Sequence, residues 1–213
     1  MQRGSSFASM EAMRILSTTI YRNGRFSVDG KELARSAGDL DHDLTKAWTA
    51  MEVELPRFVR MDRSSKLVSI AAAPFFAADG ALSKYPKDRI GMVIMGTHGS
   101  MDTDQRYLDQ LEAENHASPG LFVYTLPNIA MGELSIQHGL HGSGLCLLSD
   151  APDIPQLHDA CDILLHDHDM EAVICGWSNI FAGSAEATFM VVTAGKEGNW
   201  DNDELERIFN EHG

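Results

Sequence analysis

The chain is 213 residues long, with 31 acidic against 17 basic residues and a formal net charge of −14. That length and a 44% hydrophobic content suffice for one domain with its own core, and the negative balance sets nucleic acid and anionic membranes aside as partners. No apolar run approaches the roughly 20 residues that a membrane-spanning helix needs.

Residues 15–21 are apolar and β-branched and end at Asn23-Gly24, which predicts a first strand closed by a turn. Residues 31–55 are polar and read as helical in parts, with a stop at Pro56. Residues 63–78 carry small and apolar side chains at helical spacing up to Asp79-Gly80. Residues 90–95 form a continuous apolar run ended by Gly96, the pattern of a buried strand. Residues 102–115 read as an exposed helix, with Tyr107, Leu108 and Leu111 on one face and acids on the other.

Ser118-Pro119-Gly120 predicts a turn. Residues 127–138 predict a buried helix with Pro127 in its first turn. A short buried strand follows at 145–148. Residues 154–165 read as an amphipathic helix with Leu157, Cys161 and Leu164 or Leu165 inward. Strands are expected at 172–175 and 187–193, and a charged helix at 202–210. Strands alternating with helices indicate a layered α/β domain, and the pattern alone favours a largely parallel sheet. Cys146, Cys161 and Cys175 lie in apolar surroundings without paired spacing, and the N-terminus lacks the apolar core of a secretory signal. A reduced, cytoplasmic protein is expected.

Residues 139–177, GLHGSGLCLLSDAPDIPQLHDACDILLHDHDMEAVICGW, resemble the nucleophile region of the β-ketoacyl synthases. There a Gly-Leu-X-Gly opening leads through a buried strand to a cysteine at a helix N-terminus. In this register the cysteine position falls on Ala151, and a methyl group cannot form a thioester. Further segments agree in order and spacing: RFVRMDRSSKLVSIAAAPFF (57–76), RIGMVIMGTHGSMDT (89–103), ASPGLFVYTLPNIAMGELSIQHGLHG (117–142) and MEAVICGW (170–177). The family usually ends the last of these in Gly-Gly; here the second glycine is Trp177. The match runs over roughly residues 12–195 of a single domain spanning 1–213. It implies the N-terminal half of the thiolase-like fold, a layered mixed β-sheet with flanking helices, five strands to a half.

The resemblance also implies a function. The family draws its catalytic histidines and lysine from a C-terminal half, and the chain reads as stopping soon after AEATFMVVTAGKEG (185–198), the strand leading into that half. Chain-length factors, which partner polyketide synthases, also lack the cysteine, although they carry glutamine there. The expectation is a non-catalytic subunit of a fatty acid or polyketide β-ketoacyl synthase. It would pair with a full-length synthase or a second copy and meet acyl carrier protein only indirectly. No cofactor is expected. The family's dimer strand corresponds to 145–149, which contains Leu145, Cys146 and Leu147. The family's turn that lines the neighbouring subunit's acyl channel corresponds to 121–128, where Leu121, Phe122, Tyr124 and Leu126 either shape that channel or fill this protein's own core. The alternative is an acyl-transferring condensing enzyme with an atypical nucleophile or a separately encoded C-terminal half. A homodimeric binder of an acyl group is a third possibility.

Other residues that invite a chemical role read more simply as structure. Ser149 ends a strand with no base identifiable nearby, and Asp150 or Asp153 caps the helix after it. His166 to Asp169, HDHD, alternate in a short loop and are expected to hold no metal. His138 and His141 read as loop hydrogen-bonding residues. Gly96, Gly99 and Ser100 fit neither a P-loop nor a dinucleotide fingerprint and predict a tight turn with a helix cap. Cys146 reads as packing. Trp177 reads as a ring filling space where the family keeps a small residue.

Overall fold

The computed structural model describes residues 12–210 apart from 52, 55 and 117. The first strand, β1 (Ala12–Arg22), turns at Asn23-Gly24 into β2 (Arg25–Val28), which turns at Asp29-Gly30 into β3 (Lys31–Arg35). Both turn pairs have positive φ, 42° and 85°, then 48° and 77°. That is the two-residue hairpin geometry which Asn-Gly and Asp-Gly adopt at little steric cost. Helix α1 (Leu40–Ala50) starts where the Asp39 carboxylate accepts from the His42 amide, and α2 (Arg63–Ala72) where Asp62 accepts from the Ser65 amide. A 3₁₀ turn, Ala73–Phe76, continues α2 where Pro74 cannot donate to an α-helical ladder.

Strand β4 (Ile90–Gly96) is buried over its whole length. It leads to α3 (Met101–Glu114), the short α4 (Pro119–Phe122) and α5 (Ile129–His138). Then come β5 (Gly144–Leu148), α6 (Ile154–His166), the long hairpin β6 (Ala172–Phe181) and β7 (Ser184–Gly195), and α7 (Asn202–Asn210).

The seven strands, two more than the resemblance implies because the β1–β2–β3 turns add short strands at one edge, form one sheet in the order β3-β2-β1-β7-β6-β4-β5. It is mixed, as the resemblance implies, and not largely parallel. Only β4 with β5 and β4 with β6 run parallel, while β1, β2, β3, β6 and β7 meet antiparallel. The reversal follows from tight two-residue turns, Ala182-Gly183 among them, which can only join antiparallel neighbours.

Helices cover both faces. On one, α1, α2 and α5 press Leu44, Leu67, Ile70 and Leu134 onto Tyr21, Phe26, Ile174 and Phe189. On the other, α6 and α7 bring Leu157, Cys161, Leu164, Leu205 and Phe209 against Val93, Cys175, Trp177 and Met190. The inner face expected of 154–165 is the one observed. Helix α3 lies on the surface as expected, burying only Thr103 and leaving Leu108 and Leu111 exposed. One expectation fails. Pro127 precedes α5 and its cap residue Asn128 instead of opening the first turn.

Candidate functional site

The motif Gly139-Leu140-His141-Gly142 has a local cause. Gly139 ends α5 in the left-handed conformation, φ 64°, which an L side chain adopts only with strain. A Cβ on Gly142 would overlap the Ile90 carbonyl. The chain can then drop into β5 alongside β4, with Leu145 opposite Val93 and Leu147 opposite Met95.

Strand β5 is the last in the sheet, and its outer side pairs with no strand among the described residues. Leu145, Cys146 and Leu147 are half-buried and Leu148 is exposed. An apolar edge without charges is open to pairing with another strand. Cys146 packs against the α1/α2/α5 side of the core, and burial pushes its thiol pKa up. Cys161 and Cys175 are fully buried, and the Cys161 thiol is pushed well up, chiefly by desolvation. All three therefore read as packing thiols, unsuited to nucleophilic attack.

Ala151 lies exposed in the loop between β5 and α6. The cap of α6 is Asp153, two residues on, whose carboxylate accepts from the Gln156 amide at 2.8 Å; Asp150 is not the cap. Ser149 donates its backbone N–H to the Gly96 carbonyl at 3.1 Å. Among the described residues no hydrogen bond joins its hydroxyl to a base. The loop is tied to the end of β4 by Thr97 Oγ1, 3.3 Å from the Asp150 carbonyl.

The turn after Ser118 lies at the surface with part of its apolar side chains outward. Phe122 is 60%, Val123 52% and Leu126 55% exposed, whereas Leu121 and Tyr124 are half-buried. These residues do not fill the core. The backbone beneath them is held at several points. Ser118 N–H donates to Gln110 Oε1 at 3.1 Å, and Ser100 Oγ donates to the Thr125 carbonyl at 3.0 Å. The Phe122 ring meets Tyr107 at 5.7 Å. Ser100 thus fastens this turn and does not cap α3 with its side chain. Tyr124 Oη donates to Glu133 Oε1 at 2.8 Å, and Arg57 grips the same carboxylate through Nε and Nη2 at 2.8 and 2.9 Å. Arg57's hydrogen bonds hold the Glu133 carboxyl below its usual range against the opposing effect of burial, and the Tyr124 hydroxyl is pushed up to about 12, first by desolvation and then by that carboxylate.

Sequence reasoning missed two features. One is the exposed apolar face of α3, Met101, Leu108 and Leu111, beside the turn after Ser118. The i, i+7, i+10 spacing marked one face but not which way it looks. The other is a cavity of about 670 Å³ between the β1–β2 and β6–β7 hairpins, lined by His98, Asn179, Phe181 and Glu186 among others. His98 stacks on Phe181 at 4.0 Å, and Asn179 Oδ1, which accepts from the His98 backbone N–H, takes its Nδ1 at 2.9 Å. No sequence signal beyond a histidine in a glycine-rich turn pointed there.

The remaining candidates disperse. His166 pairs with Asp162 at 3.1 Å, while His168 approaches Ser143 at 3.5 Å. Among the described residues no group of three His, Cys, Asp or Glu is placed to hold a metal. His138 is no loop residue: it ends α5 and stacks on Phe76 at 3.7 Å. Trp177 is buried and donates its indole N–H to Glu186. Among the described residues no helix is long and apolar enough to cross a membrane.

No protein-family model and no curated protein matches the sequence. Solved structures do. One of the ishigamide ketosynthase/chain length factor aligns with a TM-score of 0.63 at 14% identity, over 85% of this chain and 62% of that one. One of the ketosynthase ApeO with its chain length factor ApeC from Xenorhabdus doucetiae aligns at 0.54 and 15% identity, over 86% and 79%. A β-ketoacyl synthase from Burkholderia phymatum STM815 aligns at 0.57 and 12%, over 94% and 62%. The fold is therefore the thiolase-like fold of ketosynthases and chain length factors, and the chain spans less than two thirds of the first of these structures.

Proposed function

We propose that this protein is a non-catalytic accessory subunit that pairs with a full-length β-ketoacyl synthase of fatty acid or polyketide biosynthesis and shapes its acyl channel. The observation that carries the reading is Ala151. The position that the resemblance gives to the nucleophile is a methyl group on an exposed loop, with no thiol or activated hydroxyl beside it among the described residues. Condensation needs a nucleophile to hold the acyl group as a thioester, and a methyl group supplies neither the thiolate nor a route to it.

The pairing half of the reading draws on two neighbouring features. The open β5 edge offers unpaired backbone groups for a partner strand. The fastened turn offers Phe122, Val123 and Leu126 as apolar contacts, the kind of exposed cluster that marks an interface. The net charge of −14 favours a partner whose contact rim is basic, and disfavours a second copy. Co-expression with a candidate synthase, size-exclusion chromatography and an acyl-product assay form the test. Co-elution with altered product length supports the reading; separate elution with unchanged products sinks it.

A further inference from the structure

Glu133 is 4% exposed and is the acidic group around which the turn after Ser118 is built. Its two oxygens take three charge-assisted hydrogen bonds, two from Arg57 and one from Tyr124. Arg57 lies 76 residues earlier in the chain, just ahead of α2, and Tyr124 nine residues earlier, inside the turn. The carboxylate therefore ties three separate stretches together. A buried carboxylate is tolerated only when paired and hydrogen-bonded, so Arg57 fixes Glu133, and Glu133 then fixes the phenol. Around this anchor the turn divides its large side chains. Tyr124 is drawn inward, and Phe122, Val123 and Leu126 are left outside.

We infer that Glu133 is a positioning residue that decides which side chains of the 119–126 turn meet a partner: it withdraws Tyr124 and presents Phe122, Val123 and Leu126. The inference rests on the reading that a synthase subunit contacts this turn. It also revises the contact set that the sequence offered. Tyr124 holds the turn from within, and Val123 takes its place on the outside.

The arrangement is suited to specificity. A turn pre-ordered by hydrogen bonds loses little conformational freedom on association, so it binds more tightly and in one register. Release of the phenol would leave the same apolar residues present but differently aimed.

The test uses the full chain with Tyr124→Phe and Glu133→Gln. Amide hydrogen exchange is followed by mass spectrometry, and affinity for a co-expressed synthase is measured alongside. In Tyr124→Phe the ring remains and only the hydroxyl is lost, so the fold persists even where Glu133→Gln fails to fold. Exchange across 119–126 should rise about tenfold, the consequence of losing one hydrogen bond to a charged group. Protection of β4 and α2 should stay unchanged. Affinity for the synthase should fall by a similar factor. A bond that merely adds global stability would lower protection everywhere and leave no local signature. Unchanged exchange across 119–126 in Tyr124→Phe overturns the positioning role. A wild-type chain that captures no synthase sinks the pairing reading, and the contact-surface part of the inference with it, while the exchange data still decide whether Glu133 sets the turn.

Discussion

Trp177 donates its indole N–H to Glu186 Oε1 at 3.0 Å, diagonally across the β6–β7 ladder on the face that α6 and α7 cover. The preceding residue is Gly176, where a Cβ would collide with the Thr188 carbonyl and Phe189. One position must stay bare so that β6 and β7 can approach, and the next is filled by the largest side chain available. Trp177→Gly should therefore destabilise the chain by about 3–5 kcal/mol, the cost of emptying a packed aromatic site. Trp177→Phe keeps most of the volume and should cost about 1 kcal/mol for the lost hydrogen bond. Urea unfolding of both variants checks this. A Trp177→Gly midpoint close to wild type would show that the ring fills nothing essential.

His138 ends α5 with its ring flat on Phe76, and Lys87 Nζ lies 4.7 Å from the centre of the same Phe76 ring. Burial, aided by the Lys87 charge, pushes the His138 pKa down from 6.5 to about 4. The native state holds the ring neutral while the unfolded chain protonates it near 6.5, so the unfolded state binds more protons between these values. Stability from this group is complete above about pH 6.5, declines as pH falls toward 4, and declines no further below that. After a discount for the ring's partial exposure, the loss is roughly 1–2 kcal/mol. His138→Phe keeps the stack and removes the titration. Its urea midpoint should be flatter than wild type from pH 6.5 to 4. Parallel curves for the two proteins would refute this assignment. Glu133 acts lower: its folded pKa lies below 4.5 because of Arg57, so its contribution persists above that value and fades only as pH falls through the folded pKa.

Much of this architecture is legible in single stretches of sequence. The unbroken apolar run of β4, the inward stripe of α6 and the bounds of α7 each carry their own periodicity. Strand β3 does not. Lys31–Arg35 is a largely exposed edge strand with no apolar alternation. Its signal was the Asp29-Gly30 pair, a second hairpin turn of the same kind as Asn23-Gly24. Strand direction was also hidden, because the pattern of β7 is the same whether it runs with or against β6. Among the site residues, the exposure of Leu108 and Leu111 depends on what lies beyond α3, which a local stripe does not encode. The Arg57–Glu133 contact joins residues 76 apart in sequence, too far for any spacing rule to reach.

Exposed contact residues should separate binding from folding. Phe122→Ala and Leu126→Ala remove side chains that are more than half exposed, so unfolding should shift by no more than about 0.5–1 kcal/mol. On the proposed pairing, each should weaken capture of a co-expressed synthase by about tenfold or more if the turn forms the centre of the contact. Leu148→Lys places a charge on the open β5 edge and should block strand addition without unfolding the monomer. Because the chain is strongly acidic, the association rate should also fall as salt is raised. Pull-down and surface-binding kinetics at two salt concentrations measure all of this. Wild-type binding by all three variants would move the interface elsewhere.

Ala151→Cys tests whether a thiol at this position is all that a condensing enzyme would need here. The side chain would stand on an exposed loop two residues ahead of Asp153, the true cap of α6. The aligned peptide dipoles that depress a thiol pKa act within the first helical turn, and here Asp153 already takes the Gln156 amide that would face an incoming anion. The new thiol should therefore keep an ordinary pKa near 8.5, react with simple alkylating reagents, and remain free of acyl adduct after incubation with acyl-CoA or acyl carrier protein. Stability should change by less than about 0.5 kcal/mol, as at most exposed sites. Intact-mass spectrometry reads both results. An acyl adduct on the introduced thiol of Ala151→Cys would show a site still organised around that position and would favour the enzymatic alternative. An adduct on the unmodified wild-type chain would go further and point to a nucleophile elsewhere in the chain.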